Sequence, residues 1–249
     1  MTKVAVSTKI ANISLATGFI VVTAGLGYKH IGLPPVVVVG GSGLIALLIW
    51  STKYLNRPAS PQIILPWFLL TVAALELHMM EEYLTGFGPA MSPLFNLTWT
   101  ERAFLMVFAF IGPALYALTA IGLFYTVRFA GFLAWFIFIG PGVAEFTHFI
   151  FPLLKPAISP EIQQKVSHLF PNGVWIPDLP NYYIHTTGTY YFAGMYTAIL
   201  PMIPFTGFSK QIGKARHRPN RSARQPSRLR TPSRIFRDHR FWQNAYPFA

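Results

Sequence analysis

Apolar residues in this 249-residue chain fall into separate runs, divided by shorter polar stretches. Each run has about the 20 residues that a helix needs to cross roughly 30 Å of hydrocarbon. The runs are continuous and lack the period-2 alternation of a membrane β-barrel, so they predict helices. The six predicted spans cover residues 10–27, 33–50, 63–83, 102–125, 129–154 and 183–205. The pattern predicts an all-α, polytopic membrane helix bundle of about six transmembrane helices.

Composition supports this interpretation and divides the chain into two parts. Only 11% of the residues are charged, against about 25% in a typical soluble domain. Eleven of the 20 Lys and Arg residues follow residue 206, where Asp238 is the one acid. We therefore predict a transmembrane bundle in residues 1–208 and a basic tail in residues 209–249. The chain has no cysteine, which excludes a disulfide framework and thiolate chemistry.

The tail alternates Arg with Pro and Ser and lacks an apolar face, a composition typical of disordered segments. Beside a membrane, such a segment is attracted to anionic lipid by about 1 kcal/mol per basic residue. It carries no nucleic-acid-binding module, so we expect no specific nucleic acid partner. Basic residues in the short loops are almost evenly divided between the two sides. The tail therefore decides the orientation, and by the positive-inside rule we predict that both termini are cytoplasmic.

Ionisable side chains within the predicted spans are the main functional signal. Each costs about 2.5–3.5 kcal/mol to insert, and such residues are usually functional. The third span carries His78, Glu81 and Glu82, and the fifth carries Glu145 and His148. Residues three or four positions apart share one face of a helix. His78 therefore faces the same way as both glutamates, and Glu145 faces the same way as His148.

Helix geometry predicts that these two groups meet at one depth. The third and fifth spans run in the same direction, and His78 and Glu145 each lie about 16 residues, or about 24 Å, along their span. His185 opens the sixth span, which runs back, so it lies at the same end of the bundle. Glu76 lies two residues from His78 and is predicted to face elsewhere. Histidines and glutamates from three helices should therefore converge.

Imidazole and carboxylate groups are the usual protein ligands of zinc, iron and manganese. We predict a divalent metal, zinc or iron, with ligands drawn from His78, Glu82, Glu145, His148 and His185. Glu81 and Glu82 are the predicted catalytic residues, because one of them would accept a proton from a water that the metal activates. Their spacing does not decide which of the two does so.

Three alternatives stay open at this level. Glu-x-x-His on bundle helices is also used by di-iron carboxylate proteins, so the cluster could bind two metals. Chains of Glu and His also relay protons in membrane transporters. The third alternative is a set of interfacial hydrogen bonds with no function beyond structure.

The string His78-Met79-Met80-Glu81-Glu82 resembles the signature of the HXXEE-domain membrane proteins. The resemblance extends over residues 60–206, the predicted motif-bearing core. It includes Glu145, His148, Tyr190, Gly194 and Pro201. It implies a membrane-bound, metal-dependent enzyme in which His78, Glu81, Glu82 and His148 are motif positions.

Together these features predict a membrane-embedded, metal-dependent hydrolase. Its substrate would be hydrophobic or lipid-like, because the walls around the predicted site are aromatic and aliphatic. The alternatives are a di-iron membrane oxidoreductase and a proton-coupled transporter that uses the same cluster as a relay.

Overall fold

The computed structural model describes residues 5–97, 99, 101–159, 161–162 and 180–217. Residues 1–213 form one compact unit, which holds every feature discussed below. A second unit comprises residues 214–249, of which the structure describes only the end of a helix at His217. The rest of the predicted basic tail lies outside the described residues.

Helices form the described part of the chain, which contains no strand. Within it, five helices are long and apolar enough to cross a membrane: α1 (Val6–Ile31), α2 (Leu33–Tyr54), α3 (Pro61–Thr85), α5 (Arg102–Phe124) and α6 (Arg128–Phe149). The shorter helices are α4 (Phe87–Phe95), α7 (Ile184–Thr187) and α8 (Met202–His217). The prediction of an all-α membrane bundle is confirmed.

Helix α6 changes its winding twice before it reaches the predicted ligands. It is α-helical over Arg128–Ile137, forms a wide π turn over Phe138–Gly142, and ends as a tight 3₁₀ helix over Val143–Phe149. Pro141 lies in the π turn and has no N–H to donate, so the regular hydrogen-bond ladder cannot continue through it. The sequence Gly140-Pro141-Gly142 thus accounts for the irregular turn.

The sixth predicted span, residues 183–205, differs from a continuous helix. It contains the short helix α7, a series of turns through residues 193–201, and the beginning of α8. Gly188 and Gly194 have φ angles of 71° and 83°, which belong to the left-handed region and interrupt a right-handed helix. Helix α8 continues past residue 208, where the sequence places the end of the bundle.

Two hydrophobic clusters stabilise the bundle. The larger lies among α1, α2, α3, α5, α6 and α8 and includes fully buried aromatic side chains such as Trp50 and Phe132. The Trp50 indole N–H donates to the Arg128 carbonyl at 3.1 Å, joining the end of α2 to the beginning of α6. The smaller cluster surrounds α4, in which every residue from 87 to 94 is buried.

Close packing of α2 against α6 yields a test of this arrangement. A Cβ added at Gly131 would overlap the ring of Tyr54, whereas one at Gly25 in α1 would have no atom within 4 Å. Overpacking of this kind typically costs about 1–3 kcal/mol. We expect Gly131→Ala to lower the thermal unfolding temperature in detergent and Gly25→Ala to leave it nearly unchanged. Equal unfolding temperatures for the two variants would contradict the α2–α6 packing.

Candidate metal centre

Helix α3 supplies His78 and Glu82, which lie one helical turn apart on its inner face. Both side chains are buried, with relative exposures of 0% and 2%. The His78 Nε2 atom lies 3.6 Å from Glu82 Oε1. The i, i+4 spacing in the sequence predicts this shared direction, and the structure has it.

Helix α6 supplies Glu145 and His148 from its 3₁₀ segment. In a 3₁₀ helix, residues three positions apart lie directly above one another, because one turn takes 3.0 residues. Both side chains therefore point in the same direction, and Glu145 Oε2 lies 3.0 Å from His148 Nε2. The change of winding after Pro141 aligns this pair more closely than an α-helix would.

The two pairs meet face to face, as their equal depths predict. Glu145 Oε2 lies 3.1 Å from His78 Nε2, and Glu82 Oε1 lies 3.1 Å from His148 Nε2. The four ligand atoms thus alternate nitrogen and oxygen around a ring, and all lie within 4.8 Å of one another. Four ligands at about 2.0–2.1 Å from a zinc ion at their centre would stand about 3.3 Å apart. The four sides of the ring, 3.0–3.6 Å, are close to that separation, while the bound of 4.8 Å on all pairs is wider than a regular tetrahedron.

Hydrogen bonds on the outer side of each imidazole fix its tautomer. His148 Nδ1 lies 2.7 Å from the Ala193 carbonyl oxygen, which can only accept, so Nδ1 carries a proton and donates it. His78 Nδ1 lies 3.1 Å from the hydroxyl of Thr197. That hydroxyl gives its own proton to Glu81 at 2.6 Å, so it accepts from His78. With Nδ1 protonated, each imidazole directs its Nε2 atom into the ring, and in the neutral form that atom offers a lone pair.

Two carboxylates and two imidazoles facing one another in a buried place require positive charge between them, either from a cation or from protons on the imidazoles. A divalent cation at the centre would balance the two carboxylates and accept all four lone pairs. Glu82 Oε2 is also buried and has no hydrogen-bond partner among the described residues, so a further oxygen is free at the same place. The donor set His78, Glu82, Glu145 and His148 therefore fits a divalent metal ion.

Glu81, one of the two predicted catalytic residues, does not join this ring. Its Oε2 accepts hydrogen bonds from the Thr197 backbone N–H at 2.7 Å and from the Thr197 hydroxyl at 2.6 Å. Its Oε1 accepts from the Tyr191 hydroxyl at 3.1 Å and the Tyr196 backbone N–H at 3.2 Å. Glu82 and Glu81 therefore differ in surroundings, which their spacing along the helix did not reveal.

His185, the fifth predicted ligand, lies apart from the other four. It is exposed, and its Nε2 atom hydrogen-bonds the Leu153 carbonyl at 3.0 Å. The prediction placed it in the cluster because a continuous sixth helix would begin there, whereas this segment is irregular. Glu76 is exposed on α3, in agreement with its predicted direction away from His78.

Gly194 contacts the site through its backbone. Its φ angle is +83°, and an added Cβ would lie 2.7 Å from Glu82 Cγ, 2.9 Å from His148 Cε1 and 3.0 Å from His78 Cε1. Only glycine lets the backbone approach these three ligands so closely. Gly194 belongs to the resemblance, but spacing along the chain gave it no role.

Aromatic rings enclose the site on the α4 side. The His148 imidazole packs against Phe87, Phe151 and Phe192, with ring centroids 5.0, 5.7 and 6.4 Å away. Tyr83, Phe87 and Phe104 also line the space beside Glu82, which is too narrow for a water molecule. An apolar shell excludes water and strengthens electrostatic interactions at the cluster.

Comparisons with protein-family models, with curated proteins and with solved structures found no match for this chain. The function of the chain is therefore inferred from the geometry of the cluster.

The position of Gly194 yields a test with a matched control. Gly188 also has a positive φ, but an added Cβ there would have no atom within 4 Å. Gly188→Ala should therefore cost only the backbone strain of about 1–2 kcal/mol. We expect Gly194→Ala to lower the thermal unfolding temperature clearly further, because its Cβ displaces Glu82, His78 and His148. Unfolding temperatures that fall equally in both variants would contradict the close approach to the ligands.

Proposed function

We propose that this protein is a membrane-embedded, metal-dependent enzyme, and that it is a hydrolase acting on a hydrophobic or lipid-like substrate. The observation that carries the proposal is the ring of four inward-facing lone-pair atoms from His78, Glu82, Glu145 and His148. Zinc or iron is the proposed metal, since both accept mixed imidazole and carboxylate ligands. The resemblance to the HXXEE-domain proteins belongs to this proposal, because it implies the same class of enzyme.

One metal ion fits the described cluster better than two. Di-iron carboxylate proteins bring together two Glu-x-x-His motifs and two further glutamates. Here a single Glu-x-x-His motif, Glu145 to His148, meets two ligands from α3. This ligand count favours metal-assisted hydrolysis over di-iron oxidation, which remains the alternative within the enzyme class.

A bound divalent metal would supply Lewis acidity and lower the pKa of a coordinated water toward about 7. Around it, the two imidazoles and Glu145 would act as ligands. Glu82 offers one oxygen to the cluster and keeps the other, Oε2, free of any described partner. Of the two predicted catalytic residues, Glu82 therefore has the oxygen better able to accept a proton from the reacting water.

The surroundings of the cluster support an apolar substrate. The residues beside Glu82 are largely aromatic or otherwise apolar, and Phe87 packs on the imidazole of His148. The cluster itself lies on two helices that are apolar enough to cross a membrane. A substrate that partitions into the bilayer reaches such a site without crossing water.

Elemental analysis tests the metal centre directly. We expect detergent-purified wild-type protein to contain near-stoichiometric zinc or iron by mass spectrometry. His78→Ala and Glu145→Ala should each lower the metal content, because either substitution removes a ligand atom from the ring.

Two substitutions serve as controls for this experiment. His185→Ala and Glu76→Ala change the same residue types outside the ring and should retain the metal. A wild-type protein without metal after metal-replete expression and chelator-free purification would overturn the enzyme proposal. The proton-coupled transporter would then become the leading function. The element found would also distinguish hydrolysis, with zinc, from oxidation, with iron.

We further propose that both termini are cytoplasmic, which requires the irregular segment of residues 183–205 to cross the membrane as a sixth span, and that the basic tail contacts anionic lipid. The chain has no cysteine, so single cysteines can be introduced without background labelling. With five spans between them, Thr2→Cys and Ala157→Cys should lie on opposite sides of the membrane. A membrane-impermeant thiol reagent applied to intact cells should label Ala157→Cys and leave Thr2→Cys and Ala249→Cys unlabelled. Labelling of the terminal cysteines alone would reverse the orientation.

A further inference from the structure

Glu81 is held in place by the turn that follows α7. Four hydrogen bonds converge on its carboxylate from Tyr191, Tyr196 and Thr197, residues 110 to 116 positions further along the chain. A carboxylate has about four lone-pair sites, so these bonds occupy its whole accepting capacity. Glu81 therefore has no free acceptor for a reacting water, and its contribution must pass through the turn that it binds.

The same turn contacts both imidazoles of the cluster. Thr197 accepts a hydrogen bond from His78 Nδ1, and the Ala193 carbonyl accepts one from His148 Nδ1. Between them, Gly194 packs against three of the ligands. Residues 191–197, which we call the buttress turn, thus orient the two histidines from the side opposite the ring.

Thr197 transmits the effect of Glu81 most directly. A hydroxyl has one proton, and Glu81 receives it in a short, charge-assisted hydrogen bond of 2.6 Å. The Thr197 oxygen can then only accept from His78, which keeps the proton on Nδ1 and the lone pair on Nε2. The order carboxylate, hydroxyl, imidazole matches the outer partners that tune metal-ligating histidines.

We propose that Glu81 is a positioning residue that holds the buttress turn, and that through Thr197 it fixes the tautomer and orientation of His78 for metal binding. This inference rests on the metal centre of the proposed function. Loss of such an outer partner typically lowers metal affinity about 10- to 100-fold. The proposal assigns Glu81 a role in affinity and separates it from Glu82.

Metal affinity of matched variants tests this role. In full-length protein in detergent, zinc dissociation constants are measured by competition with a chromophoric chelator. Thr197→Val removes the hydroxyl and keeps the side-chain shape, and Glu81→Gln replaces one accepting oxygen with a donor. We expect each to raise the dissociation constant about 10- to 100-fold. Thr197→Ser keeps the hydroxyl, so its zinc affinity should stay within a few-fold of that of wild type.

The chain offers a control for each substitution. Thr119 is buried and its hydroxyl has no partner among the described residues, so Thr119→Val should leave zinc affinity unchanged. Glu76→Gln removes the same charge on the exposed side of α3 and should also leave zinc affinity unchanged. As a second readout, the visible absorption of bound Co²⁺ should change in Thr197→Val and match wild type in Thr197→Ser.

The outcomes separate this inference from the proposed function. If wild type binds zinc and both Thr197→Val and Glu81→Gln bind it with the same affinity, the positioning role is overturned. The metal centre itself would still stand. Absence of metal binding in wild type would overturn both. If Thr197→Val does not yield a single species on gel filtration, Thr197→Ala compared with Thr197→Ser gives the same contrast. Equal affinities in that pair would likewise overturn the proposal.

Discussion

Two carboxylates and two imidazoles, directed at one another inside an apolar bundle, impose the electrostatic constraint on which this structure depends. Lone pairs 3.0–3.6 Å apart repel unless a cation or protons lie between them. Burial makes that requirement stronger, because water cannot screen the charges. The aromatic shell and the buried helix α4 maintain the burial, so the cluster and its surroundings form one functional unit.

The same constraint accounts for the non-helical backbone near the cluster, in α6 and in the buttress turn. Two α-helices alone bring His78 and Glu145 to one level, but the π turn and 3₁₀ segment of α6 align Glu145 with His148. Non-helical backbone among membrane helices is tolerated where protein satisfies its polar groups. The buttress turn meets this condition in part through Glu81, which accepts hydrogen bonds from the backbone N–H groups of Tyr196 and Thr197.

The remaining helices provide a scaffold that keeps these elements in register. The larger hydrophobic cluster joins α1 and α2 to α3 and α6, and it lies apart from the smaller cluster that contains the site. Packing in the first cluster determines where α6 sits against its neighbours, through close contacts such as Gly131 on Tyr54. The position of the α6 ligands thus depends on contacts made well away from the site.

The sequence alone determined the helical class, the positions of the first five spans and the convergence of His78 and Glu82 with Glu145 and His148. These features depend on hydrophobic run length and helical rise, which are local and regular. Tertiary structure alone decided the rest: the different surroundings of Glu81 and Glu82, the exclusion of His185 from the ring, and the irregular sixth segment. Each of these depends on hydrogen bonds or close contacts between distant residues, such as Glu81 with Thr197 or Gly194 with Glu82. Helical periodicity carries no information about such pairs, because it specifies a direction from the helix and not the partner found there.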